Sequence, residues 1–244
     1  MSHHLVEAKE VCYAYPDGQP ALRGVSFLIH HGESVALIGS NGAGKSTLLL
    51  HLNGVLKPSS GQIRIGDFPI TKENLAEMRR TVGLIFQDSD DQLFMPTVFE
   101  DVAFGIAHQG LDATEIEARV DQALATVGAT HLKERPPYRL SGGEKRAVAI
   151  AGVLVMQPSI LVMDEPSNGL DPAARRRLIK LLASFDHTKI IATHDLDLVL
   201  DLCSRVLVMN QGVIEADGTP ADIFADAELL QRCNLEPPLS LQRR

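Results

Sequence analysis

Cysteine is scarce in this chain and follows no pattern. Cys12, Cys203 and Cys233 are an odd number at wide spacings, which neither staples a secreted fold nor supplies the paired ligands of a zinc knuckle. Reduced thiols in a cytoplasmic protein are the expectation. Long apolar runs are missing too. The longest uncharged apolar stretch, Val148 to Met156, is about half of a membrane span, and the first residues carry no apolar segment of signal type. The chain is expected to be soluble by itself, so work at a membrane requires another polypeptide to do the crossing. Positive charge is also short: 23 Lys and Arg stand against 31 Asp and Glu, a formal net charge of −8. No broad positive field is available to hold nucleic-acid phosphates non-specifically, which argues against a nucleic-acid partner. Internal repeats and low-complexity linkers are absent.

What is present suits one well-buried unit: 244 residues, 45% of them hydrophobic, at the upper end of a single domain. Apolar and polar residues alternate around Val11, Tyr13 and Tyr15, break at Pro16-Asp17-Gly18, and resume from Leu22 to Ile29, which predicts antiparallel strands. Ser34 to Ile38 is a short apolar strand; after a glycine-rich turn, Lys45 to Leu52 has the composition of a helix. Ile160 to Met163 and Lys189 to Thr193 are two further buried strands, each followed by a helix starting at an N-cap, Asp171 or Asp195. Alternating strands and helices predict an α/β fold with a parallel core sheet. Between the halves, Thr97 to Ala125 reads as a helical insertion with Val98, Val102 and Ile106 on one face and a capping box at Thr97 and Glu100. The tail around Pro237-Pro238 is expected to be loosely held.

Gly39-Ser40-Asn41-Gly42-Ala43-Gly44-Lys45-Ser46-Thr47 has two glycines, a lysine and a hydroxyl at the fixed spacing of a phosphate loop, after a strand and before a helix. Glycines let backbone N–H groups close on phosphates, and the helix N-terminus adds partial positive charge. Lys45 would reach the β- and γ-phosphates and the Ser46 hydroxyl would ligate magnesium, with Thr47 beside it. A turn with these four fixed residues arises by chance in such a chain on the order of one time in a hundred. Ile160 to Met163 is a buried strand ending in Asp164-Glu165, two carboxylates that alternate sides because successive strand residues point to opposite faces. One can face a metal and the other an attacking water, so Asp164 is assigned to magnesium and Glu165 to the general base. Leu140-Ser141-Gly142-Gly143-Glu144 opens a long helix with a capping box at Ser141 and Glu144. The box fits any helix start, but two glycines in the first turn weaken a helix by about 1 kcal/mol each relative to alanine. They make sense if something approaches the backbone closely, giving one chain a second phosphate-binding surface. A single nucleotide uses both surfaces only when two chains face each other.

These three motifs, in this order and at these separations, resemble the Walker A, Walker B and signature sequences of ABC ATPases over roughly residues 5 to 220. The resemblance implies a P-loop ATPase fold: a mostly parallel core sheet, an N-terminal antiparallel β subdomain and an α-helical subdomain inserted at about 88–157, with 221–244 as a C-terminal helical extension and tail. It implies an Mg2+-dependent ATPase working as a head-to-tail dimer, a homodimer being expected, in which Ser141, Gly142 and Gly143 of one subunit meet the γ-phosphate held by Gly39 to Thr47 of the other. Tyr15 falls where the family places an aromatic that stacks on adenine. Gln87 resembles the Q-loop glutamine that senses magnesium and water, Asp171 the D-loop aspartate at the dimer seam, and His194 the switch histidine on the γ-phosphate. Two departures are small: Glu144 stands for the commoner glutamine and Ala147 where arginine is frequent, and neither removes a catalytic group.

Phe86 to Phe94, running into Thr97 to Gly105, is similar to the Q-loop region of energy-coupling-factor importers, particularly the cobalt and nickel uptake subgroup, as is Ala147 to Leu154. The acidic turn and following amphipathic helix suit a groove for basic coupling helices of integral membrane subunits, placing the chain as a peripheral protein at the cytoplasmic face. The alternatives are the ATPase of another ABC importer or an exporter. A DNA-repair ATPase of the family would carry long heptads between its halves, and a translation-associated one would carry two cassettes and basic segments; neither pattern occurs. His3-His4 and His30-His31 do not form a metal site by spacing, because adjacent strand residues face opposite sides. A transported ion would bind the membrane subunits.

Overall fold

The computed structural model describes residues 6–242; His3-His4 lie outside them. The chain begins with the expected antiparallel pair, β1 (Val6–Ala14) and β2 (Pro20–Ile29), and β4 (Ser60–Ile65) and β5 (Phe68–Pro69) extend it into a four-stranded sheet of order β2-β1-β4-β5. The central sheet contains β3 (Ser34–Ile38), β6 (Val82–Ile85), β7 (Ile160–Asp164), β8 (Thr188–Ala192), β9 (Arg205–Asn210) and β10 (Val213–Gly218) in the order β10-β9-β3-β8-β7-β6. It is parallel from β9 to β6, with β10 antiparallel at the edge.

All residues of β3, β7 and β8 are buried, as parallel strands covered on both faces require. Side-chain alternation divides each of them between two cores. Val35, Leu37, Ile160, Val162, Ile190 and Ala192 face the antiparallel sheet and helix α1 (Lys45–Leu52). Ala36, Ile38, Leu161, Met163 and Ile191 face α6 (Pro172–Ala183), α7 (Leu196–Leu202), α8 (Pro220–Ala225) and α9 (Ala227–Arg232). α2 (Leu75–Thr81) leads into the edge strand β6.

A third core joins α3 (Val98–Phe104), α4 (Ala113–Thr126) and α5 (Gly142–Leu154). The expected helical insertion from Thr97 to Ala125 consists of two helices, α3 and α4. Its start is as expected, with the Thr97 and Glu100 capping box formed and Val98, Val102 and Ile106 fully buried. Gly110, at φ 74°, lies in the segment between the two helices, and the Asp112 side chain caps α4 on the Glu115 N–H. Two expectations change. Glu165 lies beyond the end of β7 with φ 47°, in the left-handed region, so strand alternation does not extend from Asp164 to it. At the tail, Pro238 is buried and the Ser240 N–H reaches Asp197 Oδ1 at 3.2 Å, so this segment is partly held down.

Candidate functional site

Three backbone devices build the phosphate loop. β3 delivers the chain to Gly39, where φ is 157° and a Cβ would sit 2.1 Å from the Met209 carbonyl. Gly44, at φ 106°, packs so that a Cβ would lie 2.6 Å from the Ala21 carbonyl. The Gly212 N–H ties down Ala43 O at 2.9 Å. α1 then starts with Gly44 at its N-cap and no side-chain cap, leaving the first-turn N–H groups directed at the loop, as an anion site needs. Lys45 is buried and donates to Gly39 O at 2.7 Å and Ser40 O at 3.1 Å, with His194 Nε2 at 3.4 Å. Burial pushes its ammonium below the ordinary lysine value, while the charges of Glu165 and Asp164 oppose that shift.

The carboxylates of Asp164 and Glu165 reach the same place by different routes. Asp164 ends β7 and is buried. Glu165 is turned by its left-handed backbone and fixed by its own N–H on Ala192 O at 2.8 Å. Its Oε2 then accepts from the His194 N–H at 3.1 Å and the Thr193 hydroxyl at 3.3 Å, and His194 Nε2 stands 3.3 Å from Oε1. A strained, backbone-clamped carboxylate beside an imidazole is a preorganised proton acceptor.

Tyr15, Asn41, Gly42, Gly44, Lys45, Ser46, Thr47, Gln87, Asp164, Glu165 and His194 line one cleft of about 750 Å³, within the usual range for small-molecule sites. Gly39, Ser40 and Ala43 do not line it; they make the backbone contacts described above. Ser46, Gln87 and Asp164 offer three oxygen donors in the cleft, the hard donor set that suits Mg2+. Ser141, Gly143 and Asp171 are not in it. With Gly142 they line a separate cleft beside Leu170 and Arg177. The capping box there is formed: Ser141 Oγ accepts from the Glu144 N–H at 3.4 Å, and Glu144 Oε2 accepts from the Ser141 N–H at 2.7 Å. Those bonds from Ser141 hold the Glu144 carboxyl below its ordinary value. Asp171 caps α6 through the N–H groups of Ala173 and Ala174, both at 2.8 Å, with Pro172 in first position.

The resemblance to ABC ATPases rests on this whole constellation, and comparison with known proteins decides it. A family model described as ABC transporter matches residues 22–168. The chain belongs to the ABC transporter family. This ABC ATPase is 62% identical over 242 residues to a putative ABC transporter ATP-binding protein of Geobacter sulfurreducens, covering 99% of this chain and 97% of the relative. It is 48% identical to the energy-coupling factor transporter ATP-binding protein EcfA of Methanocaldococcus jannaschii, covering 96% and 86%. The structure of cbiO1 from Clostridium perfringens, part of the ABC transporter complex cbiONQ, superposes with a TM-score of 0.82 at 43% identity, covering 95% of each chain.

Sequence reasoning missed two arginines that organise the ABC ATPase site. Arg146 on α5 is buried and donates to Phe86 O at 2.6 Å and to Gln87 O, so the helix that begins at Ser141 grips the backbone at Phe86 and Gln87. Burial lowers its pKa, against the charges of Asp88 and Asp164. Arg175 on α6 forms a two-pronged pair with Asp195, next to His194. Neither partner is near in sequence, so nothing but the residue type could have drawn attention to them.

Proposed function

We propose that this ABC ATPase powers an energy-coupling-factor importer for cobalt or nickel ions, as a homodimer held peripherally on the cytoplasmic face of the membrane by integral membrane subunits. The observation that carries this reading is the near full-length similarity to EcfA and to cbiO1. Among the described residues no helix is long and apolar enough to cross a membrane. A groove beside α3 offers a membrane partner a place to bind: Phe94 and Phe104 are 62% and 49% exposed, with their rings edge to face at 5.0 Å. An apolar pair left so exposed, a few residues along the chain from Asp88 and Asp91, suits an amphipathic helix carrying basic residues.

In the mechanism, Lys45 and the first-turn N–H groups of α1 bind the β- and γ-phosphates, and Tyr15 takes the base. Ser46, Asp164 and Gln87 would hold Mg2+, which neutralises charge on the phosphate oxygens. Glu165 accepts the proton of a water as its oxygen bonds to the γ-phosphorus and the bond to the ADP oxygen breaks; His194 orients the γ-phosphate. The second subunit brings Ser141, Gly142 and Gly143, with Asp171 at the seam. A Cβ on Gly142 would meet nothing within 4 Å inside the protomer, so the protomer's own packing does not call for glycine there, and close approach from another subunit does.

Glu165→Gln is the test. Phosphate release should fall about a hundred- to ten-thousandfold, with ATP still bound and a stable dimer seen by size-exclusion chromatography with light scattering in Mg-ATP. Cells carrying this variant should lose accumulation of radiolabelled cobalt or nickel. A wild-type hydrolysis rate would remove Glu165 as the base. Intact uptake of both metals with hydrolysis abolished would remove the substrate assignment alone.

A further inference from the structure

Tyr15 lies one residue beyond β1, its backbone pinned by a turn in which its N–H reaches Gln19 O at 2.9 Å and its carbonyl accepts from Gly18 at 2.8 Å. Its side chain stands in a closed loop of contacts. The hydroxyl is 2.8 Å from Thr47 Oγ1 in the phosphate loop. Tyr13, on the same face two residues earlier, meets its ring edge on at 5.2 Å, and His51 meets Tyr13 edge on at 4.7 Å. His51 Nδ1 closes the loop at 2.7 Å from the carbonyl of Thr47.

His51 is an unusual residue for its place. It is 1% exposed, inside the core between the two sheets, one helical turn after Thr47. A carbonyl oxygen cannot donate, so Nδ1 carries the hydrogen. A buried imidazole is costly where leucine would fill the space. Burial lowers its pKa, against the carbonyls of Thr47 and Lys57. What the ring provides that leucine cannot is a flat, polarised edge against Tyr13 and a directional bond to Thr47.

We propose that His51 and Tyr13 are positioning residues for the nucleotide base: the stack His51, Tyr13, Tyr15, closed through Thr47, holds the Tyr15 ring at a fixed distance from the phosphate loop so that one ligand engages both. This rests on the reading of Tyr15 as the base-stacking ring. Edge-to-face ring contacts are worth enough to shift a binding constant about three- to tenfold.

The experiment measures KM and kcat for ATP, and competitive inhibition by tripolyphosphate, which has the phosphates and no base, in Tyr15→Ala, Tyr13→Leu, Tyr13→Phe and His51→Leu. Tyr13→Leu and His51→Leu should raise KM for ATP about three- to tenfold with kcat within about twofold. Tripolyphosphate inhibition should stay as in the wild type, and Tyr13→Phe, which keeps the ring, should restore the wild-type KM. Tyr13 is only half-buried, so its pair of variants decides the matter should His51→Leu fail to fold. Equal weakening of ATP and tripolyphosphate would mean that these residues support the phosphate loop only, and would overturn the proposal. If Tyr15→Ala discriminates against ATP while Tyr13→Leu does not, the stack falls and base stacking stands. If Tyr15→Ala spares ATP, both fall.

Discussion

Arg175→Ala tests whether helix α6 holds His194 in place. Arg175 sits near the start of α6, whose cap is Asp171; its Nε is 2.5 Å from Asp195 Oδ2 and its Nη2 is 2.8 Å from Oδ1. Asp195 is covalently next to His194 and caps α7 through the Leu198 N–H at 2.9 Å. The side chains are 30% and 23% exposed, so solvent screens part of the attraction. A bidentate, charge-assisted pair in this setting is worth about 1–2 kcal/mol. Its loss should lower the thermal midpoint by roughly 2–8 °C. Arg175 does not line the nucleotide cleft, so KM for ATP should stay within about twofold, while kcat falls about tenfold, the rate equivalent of roughly 1.4 kcal/mol, as the His194 N–H on Glu165 loses its fixed approach. Phosphate release and urea unfolding would be measured for Arg175→Ala, Asp195→Asn and the double variant; asparagine keeps an oxygen to cap α7. Effects that add to within about 0.5 kcal/mol, or an unchanged kcat, would refute the coupling.

Acid should erase the same contact. Burial raises the Asp195 carboxyl, but the bonds from Arg175 and Leu198 outweigh it and hold it below its ordinary value. A depressed carboxyl stabilises the fold above its unfolded pKa of about 3.9 and loses that contribution as pH falls through the lower folded value. The stability gap between wild type and Arg175→Ala should therefore be flat down to about pH 4 and shrink below it, as followed by circular dichroism. Gly44→Ala should lose ATP binding and about 2 kcal/mol or more of stability, because the left-handed backbone and the 2.6 Å approach to Ala21 O both oppose a Cβ; isothermal titration and urea midpoints check it. Cys203, whose thiol burial pushes up to about 12, should resist a thiol reagent at neutral pH in the native protein while half-buried Cys12 reacts first, as mass spectrometry of the labelled peptides would show.

Local, contiguous physics made much of the site legible in the amino-acid order. β3 and α1 span the residues expected of them, because an apolar strand, a glycine turn and a helix start each depend on neighbours a few positions away. The capping boxes at Thr97 and Ser141 and the N-caps at Asp171 and Asp195 formed for the same reason. Extrapolation failed where backbone geometry changes at a single residue. Glu165 leaves the strand through a left-handed turn, and no periodicity announces that change.

The sequence alone therefore determined the phosphate loop, the acidic strand end and the signature helix, whose chemistry is written in adjacent residues. Tertiary structure decided how they act together. Arg146 finds the Phe86 carbonyl 60 residues earlier, Arg175 finds Asp195 20 residues later, and Thr47 meets Tyr15 from 32 residues away. Each side chain has many possible partners in sequence, and only the packing of the sheets and helices selects one.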